Sequence, residues 1–595
     1  MKKNLTKKVG TLLLSLIGIF LSMQGYAQEV VVDGVVKDSK GEAVIGATVV
    51  VAGTNNGSIT DFNGHFNLSA KKSDALSVSY IGYITQDVAV KESVIVVLEE
   101  DSKSIDEVVV IGYGAVRRKE VTGAVASIAS EDLMKSLSTD LGASLQGAVS
   151  GVSVTAASDA PGESSTILIR GVTSINGDNT PLYVVDGVPY EDDPLIAPNE
   201  IETIDILKDA ASCAIYGTRG AAGVILISTK KGSEGKMRVS ANASVGVKHI
   251  ISSTDLMNTV DQTYVNLLQR RAISTSTTYS DMSQTLDLAR NPDYFQNNTN
   301  LLEDQVYIDF ALTQIYNATL SGGTKGLLYS VMAGYTNQEG NVVNTGFDRF
   351  NSRVNLNYSR KKLKIDVSAG LSDQTTDITP SNIIVQAIKY YPTQKPLDTE
   401  DYVTPGGEEQ NRISGILNSF FMEDTQEIYN TFVNYNMSYE IIKDLTVSGR
   451  VALSRTNTDR HTFVPYSPIY DSDGDEISTP TTSYVSMTSQ KRNSMVWDFG
   501  AQYKKEINKH HITALATMTG ENYDYVGFTA RQEGVVDNDI TTLSGTTINP
   551  EVSSAVGYTN KLIGTLGRLQ YDWDSRYLIS ASVRVDGSSK FASEN

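Results

Sequence analysis

Five histidines and one cysteine are the side chains that first suggest catalysis or metal binding in this sequence. The histidines are His65, His249, His461, His510 and His511. None has the spacing from a second ligand, or from a nucleophile, that a metal site or a catalytic triad requires. His510 and His511 are adjacent, so a β-strand would point them to opposite faces. We therefore predict a protein that is not an enzyme and that holds no metal or cofactor.

Three glycine-bearing segments suggest ion or phosphate binding but lack the required pattern. Residues 471–476 read DSDGDE, with the glycine at the fourth position instead of the sixth position of an EF-hand calcium loop. The segments GYGAV and TRGAAG lack the strand-to-helix context of a phosphate-binding loop. We interpret the acidic segment as a solvated loop and expect no nucleotide site.

The segment IDEVVVIGYG at residues 105–114 could act through its backbone. After an isoleucine it contains, in order, Asp106, Glu107, Val108, Val109 and Val110. One interpretation is a strand of a neighbouring domain. The other is an extended peptide that adds to the edge of another protein's β-sheet, where main-chain hydrogen bonds supply affinity. The sequence that follows decides between them.

Residues 1–27 have the pattern of a cleavable signal peptide, with lysines ahead of an apolar run and a small-residue exit ending at Ala27. The apolar run is shorter than the roughly 20 residues of a membrane-spanning helix. Cleavage after Ala27 removes four lysines and no acidic residue, which changes the formal net charge from −19 to −23. So acidic a chain argues against a nucleic-acid partner. Cys213 is the only cysteine, which leaves no disulfide framework.

Residues 28–100 predict a small β-sandwich, because short β-branched runs alternate with turn signals. Asp61, Asn63 and Gly64 predict a hairpin turn. His65 beside them is interpreted as a residue at a strand edge, since no second metal ligand is near it. The segment resembles a carboxypeptidase-regulatory-like domain of the transthyretin type.

Residues 117–232 alternate short strands with short helices and predict a compact α+β domain. Thr139 or Ser138 is expected to cap a helix that runs through LGASLQG and ends near Gly151. Strands are expected at VSVT, TILIRG, PLYVVDGVPY, IETIDILKD and VILISTKKG. A helix at AASCAIYG and a turn at TRGAAG complete the domain.

Residues 233–595 change to strands of period two separated by polar loops. In DRFNSRVNLNYSRK, Phe350, Val354 and Leu356 lie on one face, while Asn351 and Arg353 lie on the other. About eleven such strands are expected, and runs of roughly 10 to 14 residues suit a tilted membrane strand better than a soluble sheet. With no later apolar stretch long enough for a spanning helix, we predict part of a transmembrane antiparallel β-barrel.

Five motifs in order resemble the plug of the SusC/RagA family of TonB-dependent outer-membrane transporters. They are IDEVVVIGYG, LQGAVSGVSV, ILIRGVTS, LYVVDGVP and IETIDILKDAASCAIYGTRGAAGVILISTKKG. The resemblance implies a mainly β protein of the Gram-negative outer membrane, with an N-terminal sandwich, a linker at residues 101–116, a plug and an incomplete barrel. It also implies that residues 106–110 form the TonB box, which binds the C-terminal domain of TonB by strand addition.

The resemblance further implies active import of a nutrient, energised by the TonB-ExbB-ExbD system, with a SusD-like surface lipoprotein as partner. An oligosaccharide is the expected ligand by family analogy, although members also import peptides. The plug loop at residues 173–180 offers Asn176, Asp178 and Asn179 to such a ligand, unless it is an ordinary Asn-Gly turn. The barrel is expected to contact outer-membrane lipid.

Five charged plug residues stand at strand ends or turns and are expected either to pair with the barrel wall or to pair within the plug. They are Arg170, Asp186, Lys208, Asp209 and Arg219. A domain that must be held in a polar lumen and yet released is suited to charged hydrogen bonds.

Two alternatives to import remain at this point. A surface binding or adhesion protein would use a plugged barrel as a platform, but the uninterrupted box strand disfavours it. A signalling receptor would need a different N-terminal domain. Because family barrels have 22 strands, we also expect the sequence to be a truncated or split version of a longer protein, and not to form a stable barrel alone.

Overall fold

The computed structural model describes most of the chain between residues 29 and 590. The described ranges are 29–98, 108–117, 125–133, 138–251, 255–273, 296–397, 418–467 and 483–590. Short gaps within them are 39–40, 42, 45, 52–53, 55, 72–73, 81–82, 84, 92, 112–113, 157, 176–178, 191, 381, 395 and 575. The expected signal peptide with Ala27 and the acidic segment at 471–476 thus lie outside the described residues. The chain divides into one unit of residues 1–109 and 115–121 and another of 110–114 and 122–595.

The first unit contains the predicted β-sandwich. Its strands are β1 (Glu29–Asp38), β2 (Thr48–Val51), β3 (Gly57–Ile59), β4 (His65–Lys71), β5 (Ala75–Ser79), β6 (Gln86–Ala89) and β7 (Ser93–Leu98). They form one sheet in the order β4-β1-β7 and a second in the order β3-β2-β5-β6. Alternate residues of the longer strands, such as Val94, Val96 and Leu98, point into a shared apolar core.

The predicted turn at residues 61–64 is present, but it does not close a hairpin. Gly64 has a φ of 76°, which favours glycine. The Asp61 carboxylate accepts the backbone N–H groups of His65 and Asn63, each at 2.8 Å, and these bonds lower its pKa. The flanking strands β3 and β4 belong to different sheets, so the hairpin prediction was wrong. The turn carries the chain between the two layers and places His65 at the start of edge strand β4.

The second unit begins with the α+β plug. Between the sandwich and the plug, β8 (Val108–Ile111) and β9 (Gly114–Arg117) form a two-stranded sheet. The plug strands are β10 (Val125–Ala129), β11 (Val152–Thr155), β12 (Thr166–Ile169), β13 (Leu182–Val185), β14 (Val188–Tyr190), β15 (Ile201–Leu207) and β16 (Val224–Thr229). The central sheet has the order β10-β15-β16-β13-β14. Strands β15 and β16 supply buried residues such as Ile204, Ile206 and Ile225 to an apolar core.

Two local predictions in the plug were wrong. The helix Leu141–Leu145 is capped by Asp140, whose carboxylate accepts the Ala143 N–H at 2.8 Å, and not by Thr139 or Ser138. The helix ends well before Gly151 because Gly147 takes a φ of 71°. PLYVVDGVPY is two strands, since Asp186 and Gly187 have φ values of 48° and 84° and turn β13 back onto β14.

The remainder of the second unit is one antiparallel sheet of eleven strands in sequence order, as predicted. They are β17 (Gly235–Lys248), β18 (Ala311–Thr324), β19 (Leu327–Glu339), β20 (Gly346–Arg360), β21 (Leu363–Asp377), β22 (Glu423–Ile442), β23 (Leu445–Val464), β24 (Tyr484–Ile507), β25 (His510–Val535), β26 (Thr546–Trp573) and β27 (Tyr577–Ser588). Strands β22 to β26 have 20 to 28 residues. They are longer than the predicted strands of roughly 10 to 14 residues.

The two faces of this sheet differ as the alternation predicts. On β20 the apolar residues Phe350, Val354 and Leu356 are exposed, while Asn351 and Arg353 are buried. The same contrast separates exposed Leu453 from buried Arg450 on β23. Polar residues are buried on the inner face because the plug packs there. This arrangement confirms the predicted fold class, an incomplete barrel wall with a plug on its inner face.

Short turns and long loops alternate along the sheet. Strands β18 and β19 are separated by 2 residues and strands β20 and β21 by 2, whereas the connections from β17 to β18 (residues 249–310) and from β21 to β22 (residues 378–422) are long. The described helices are Ser130–Leu133, Leu141–Leu145, Ala210–Cys213, Thr259–Ile273 and Ile383–Ile388. Shorter turns of 3-10 type are Pro198–Glu200, Ala214–Ala222 and Leu543–Gly545, and Leu302–Val306 is a π-helix. Within the described residues, no helix is both long and apolar enough to cross a membrane.

Candidate functional site

The interface between plug and wall has a buried charge pair at its centre. Pro198 opens a 3-10 turn that ends at Glu200, immediately before β15. Period-two alternation on β20 projects Asn351 and Arg353 toward it. Arg353 Nε donates to Glu200 Oε2 at 2.6 Å, and Asn351 Nδ2 donates to Glu200 Oε1 at 2.6 Å. The side chains of Glu200 and Arg353 are each 5% exposed, so each charge depends on its partner.

Arg353 is held by further groups. Its Nη1 donates to Ser368 Oγ at 3.3 Å, and the Phe432 ring centroid lies 4.3 Å from its Cζ. Asp186 Oδ2 on the plug lies 4.0 Å from the same Nη1. The wall therefore presents one immobilised guanidinium to two plug carboxylates.

A second charged contact comes from Arg219, which lies in the 3-10 segment Ala214–Ala222. Its Nη2 donates to Glu521 Oε1 at 2.5 Å, and its Nη1 donates to Tyr523 Oη at 3.2 Å. Tyr523 Oη also donates to Glu521 Oε2 at 2.9 Å, and it lies 3.5 Å from the carbonyl of Pro189. Glu521 and Tyr523 project from β25, so this plug residue reaches the wall.

Asp186 and Lys208 show that the predicted plug charges also bond inside the plug. The Asp186 carboxylate accepts the N–H and the hydroxyl of Thr229 at 3.0 and 2.7 Å. Lys208 Nζ donates to the Ser150 carbonyl at 2.5 Å. Asp186 therefore serves both the plug and the wall, whereas the described bond of Lys208 is internal.

Asp209 and Arg170 have local backbone roles. Asp209 is the N-cap of Ala210–Cys213, where its carboxylate accepts the Ser212 N–H at 2.9 Å. Arg170 has a φ of 60°, and its backbone N–H donates to the Gly151 carbonyl at 3.0 Å. These two bonds order the plug itself.

Several wall side chains bond to the plug backbone. Arg584 Nη1 donates to the Ile215 carbonyl at 2.7 Å, and Arg349 Nη2 donates to the Thr139 carbonyl at 3.2 Å. Asn355 Nδ2 donates to the Lys230 carbonyl at 2.8 Å. Apolar contact across the interface includes a small cluster of Val188, Ala452 and Val496. We call this mainly polar interface, with Glu200, Arg219 and their partners, the plug-wall seam.

A cavity of about 330 Å³ opens beside the seam, toward the end of the sheet that bears the long loops. Strand β14 and the segment after it supply Tyr190, Asp192, Asp193 and Leu195 from the plug. Strands β22 to β26 supply the wall of the cavity. Its volume lies at the small end of the range of ligand sites.

The cavity lining combines aromatic rings with amide and hydroxyl groups. Tyr525 and Tyr558 stack with ring centroids 5.1 Å apart and an interplanar angle of 24°. Asn430 on β22 and Gln490 on β24 provide amide groups. Such a surface can stack on an apolar face and hydrogen-bond to hydroxyl or peptide groups.

The cavity also touches the seam. Arg492 on β24 forms an ion pair with Asp192 of the plug, and both line the cavity. Tyr523, which bonds to Arg219, lines it as well. Burial raises the pKa of Tyr190 to about 12, so this plug phenol stays a neutral hydrogen-bonding group.

The structure describes only part of the loop at residues 173–180, which the sequence analysis proposed as a ligand contact. Asn179 folds its own loop, because its Oδ1 accepts the N–H groups of Thr173 and Ser174 at 2.8 and 2.9 Å. Asn176 and Asp178 lie outside the described residues. Asn179 is not among the residues that line the described cavity.

The predicted TonB box is partly described. Val108, Val109 and Val110 belong to β8, which pairs with β9. Asp106 and Glu107 lie outside the described residues. The role of this segment stays a prediction.

Sequence reasoning missed Glu200, Tyr525 and Tyr558. Glu200 stands in the polar string PNE between two strands and resembles a surface turn, so nothing local signalled its burial. Arg353 was assigned to the inner face by alternation, but its partner lies more than 150 positions away in the sequence. Tyr525 lies on a strand whose alternation could have placed it inside, whereas its pairing with Tyr558 depends on strand register.

Comparisons with known proteins agree with this architecture. The model of the TonB-dependent Receptor Plug Domain matches residues 117–224, and that of the CarboxypepD_reg-like domain matches residues 32–110. TonB-dependent receptor SusC of Bacteroides thetaiotaomicron is 32% identical over 98% of this chain and 59% of its own length. TonB-dependent receptor P3 of Formosa agariphila is 28% identical over 99% of this chain and 57% of its own length. The chain thus spans less than two thirds of the curated relatives that it matches.

A solved structure has the same arrangement. The structure of the RagAB peptide importer in the 'open-open' state superposes with a TM-score of 0.68 at 25% identity, over 82% of this chain and 57% of that chain. Over the part of these proteins that it spans, the chain belongs to the SusC/RagA family of TonB-dependent receptors, which are β-barrel proteins of the outer membrane.

Proposed function

We propose that this chain is the plug-bearing part of an importer that takes a nutrient across the outer membrane under TonB control. The observation that carries the proposal is the plug-wall seam. Its charged and amide groups fix the plug, yet water can solvate each group after separation. A purely apolar interface would instead expose hydrophobic surface to the lumen when it opens.

The TonB box at Asp106, Glu107, Val108, Val109 and Val110 is the proposed attachment point for the C-terminal domain of TonB. Strand addition needs free N–H and C=O groups along an extended segment. In this structure β8 pairs with β9, so one edge of β8 is occupied by a short local partner. TonB would bind the other edge or replace β9, and the TonB-ExbB-ExbD system would then pull on the plug.

Proline substitution in the box tests this proposal. Val109→Pro removes a backbone N–H and is expected to abolish uptake, while ligand binding at the cell surface is retained. Val109→Thr keeps the N–H and the β-branched shape and serves as the matched control. Deletion of residues 106–110 should reproduce the proline result. Full uptake by the proline variant would exclude strand addition at this segment.

The proposed ligand is an oligosaccharide, with an oligopeptide as the second candidate. The stacked pair of Tyr525 and Tyr558 beside amide groups suits a sugar ring, as family analogy does. The second candidate rests on the likeness to RagAB, which is a peptide importer. A SusD-like surface lipoprotein is the proposed partner that would deliver either ligand.

Binding measurements separate the two proposed contact regions. Tyr525→Ala should weaken ligand binding about fivefold, since one aromatic contact contributes about 1 kcal/mol. Tyr429→Ala removes an exposed tyrosine from the outer face and is the control. Triple alanine substitution of Asn176, Asp178 and Asn179 tests the loop, and unchanged affinity would remove it from the site.

A further inference from the structure

The outer face of strands β22 to β26 carries an apolar band. On β22 the exposed side chains on this face are Tyr429, Val433, Tyr435, Met437 and Tyr439. Tyrosines near both limits of the band match the aromatic girdles of transmembrane barrels. Short turns of such barrels face the periplasm, so the end of the band near Tyr439 lies in the inner leaflet.

A groove interrupts this band in its periplasmic half. Gly449 faces outward between Met437 and Phe499, its partners in the cross-strand register. In the next row toward the turns, the small residues Ala501 and Ala516 pair with each other. The missing side-chain volume leaves a groove of about 740 Å³, with Tyr439 and Met518 among its other lining residues.

Beyond the periplasmic end of the groove, the same outer face becomes polar. Tyr503 is 40% exposed two positions beyond Ala501. Lys505 follows on the same face, and its Nζ lies 2.8 Å from Asp444 Oδ2. An ammonium group has three N–H donors, so one bond to Asp444 leaves donors for a further acceptor. Lys505 also keeps a side-chain exposure of 38%.

We propose that this groove binds one acyl chain of a phospholipid from the inner leaflet, with its phosphate next to Lys505. A groove in the hydrocarbon region is filled by the molecules that surround it, and a linear methylene chain fits a trough lined by glycine, alanine and apolar side chains. The ammonium group lies on the same strand four positions beyond Ala501, toward the side on which inner-leaflet headgroups lie, so it can contact the phosphate of a lipid whose chain occupies the groove. Lipid A of the opposite leaflet would present its phosphates at the far end of the band.

Native mass spectrometry tests this site in a closed barrel that contains this chain and is purified from outer membranes. The wild type is expected to retain one phospholipid after detergent exchange. Gly449→Leu places four carbon atoms in the groove, where a Cβ already lies 3.1 Å from the Phe499 ring. It should lower phospholipid retention about tenfold. Ala333→Leu adds apolar volume to the outer face of β19, away from the groove, and should retain the lipid.

A second variant tests the headgroup contact without filling the groove. Lys505→Ala should weaken phospholipid retention while leaving the membrane-inserted amount of the same closed barrel unchanged. Equal retention by the wild type, Gly449→Leu and Ala333→Leu would overturn the proposal. Co-purification of lipid A in place of a phospholipid, or of no lipid with the wild type, would overturn it as well.

Discussion

The plug interior and the plug-wall seam are held by different forces. Inside the plug, Ile204, Ile206 and Ile225 are fully buried among other apolar side chains. Across the seam, Glu200 and Arg219 bond to charged or polar groups of the wall. The contrast teaches that the plug can stay folded when it leaves the wall, because separation breaks bonds that water replaces, whereas unfolding exposes apolar surface.

Glu200→Ala should have the largest effect, which is a loss of stability at the plug-wall seam. It leaves the Arg353 guanidinium buried without its main partner, which costs about 3–5 kcal/mol. We expect faster protease cleavage of the plug in outer membranes. Adding Arg353→Met should recover much of the loss, because a similar volume then fills the site without a charge. Unchanged cleavage of the single variant would show that the seam does not depend on this pair.

Ile206→Val should destabilise the plug interior, by less than Glu200→Ala destabilises the plug-wall seam. Removing one buried methylene costs about 0.5–1.5 kcal/mol. The loss should appear as a lower free energy of unfolding of the plug, with no change in the seam contacts. Hydrogen exchange of the β15 and β16 amides is the measurement. Similar exchange changes from Ile206→Val and Glu200→Ala would contradict the separation of interior and seam.

Cys213 supplies the smallest and most local test. Burial raises the pKa of its thiol to about 11, against about 8.5 in an unfolded chain. The neutral thiol is favoured in the folded plug, so this contribution to stability is present below about pH 8.5 and is lost as the pH rises toward about 11. The free energy of unfolding of the Cys213→Ala variant should fall less than that of the wild type over this pH interval. A parallel loss in both proteins would exclude the thiol as its source.

Much of the fold could be predicted from residue patterns. Alternation assigned Phe350 and Arg353 to opposite faces, because period two is a property of the strand itself. The motif set located the plug through its likeness to a family. Local backbone choices were less predictable, since Asp186 and Gly187 stand inside what looks like one strand.

The seam could be predicted only in outline. Charge at strand ends indicated Arg219 and Asp186 as plug residues that could reach the wall, but their partners depend on the register of distant strands. Glu200 illustrates the limit, because a carboxylate in a polar turn gives no local sign that an arginine of β20 will cover it. The aromatic pair of Tyr525 and Tyr558 in the cavity could not be predicted for the same reason, because it depends on the register between β25 and β26.

A reversible crosslink across the seam tests the central claim most directly. Asn355 Nδ2 lies 3.2 Å from Thr229 Oγ1, so cysteines at these two positions are within reach of a short, reducible thiol-to-thiol crosslinker. In a Cys213→Ala background, crosslinked Thr229→Cys with Asn355→Cys should bind ligand but fail to import it, and a reductant should restore uptake. Each single cysteine variant is the control. Normal import through a fully crosslinked seam would contradict the account that the plug must leave or shift along the wall for transport.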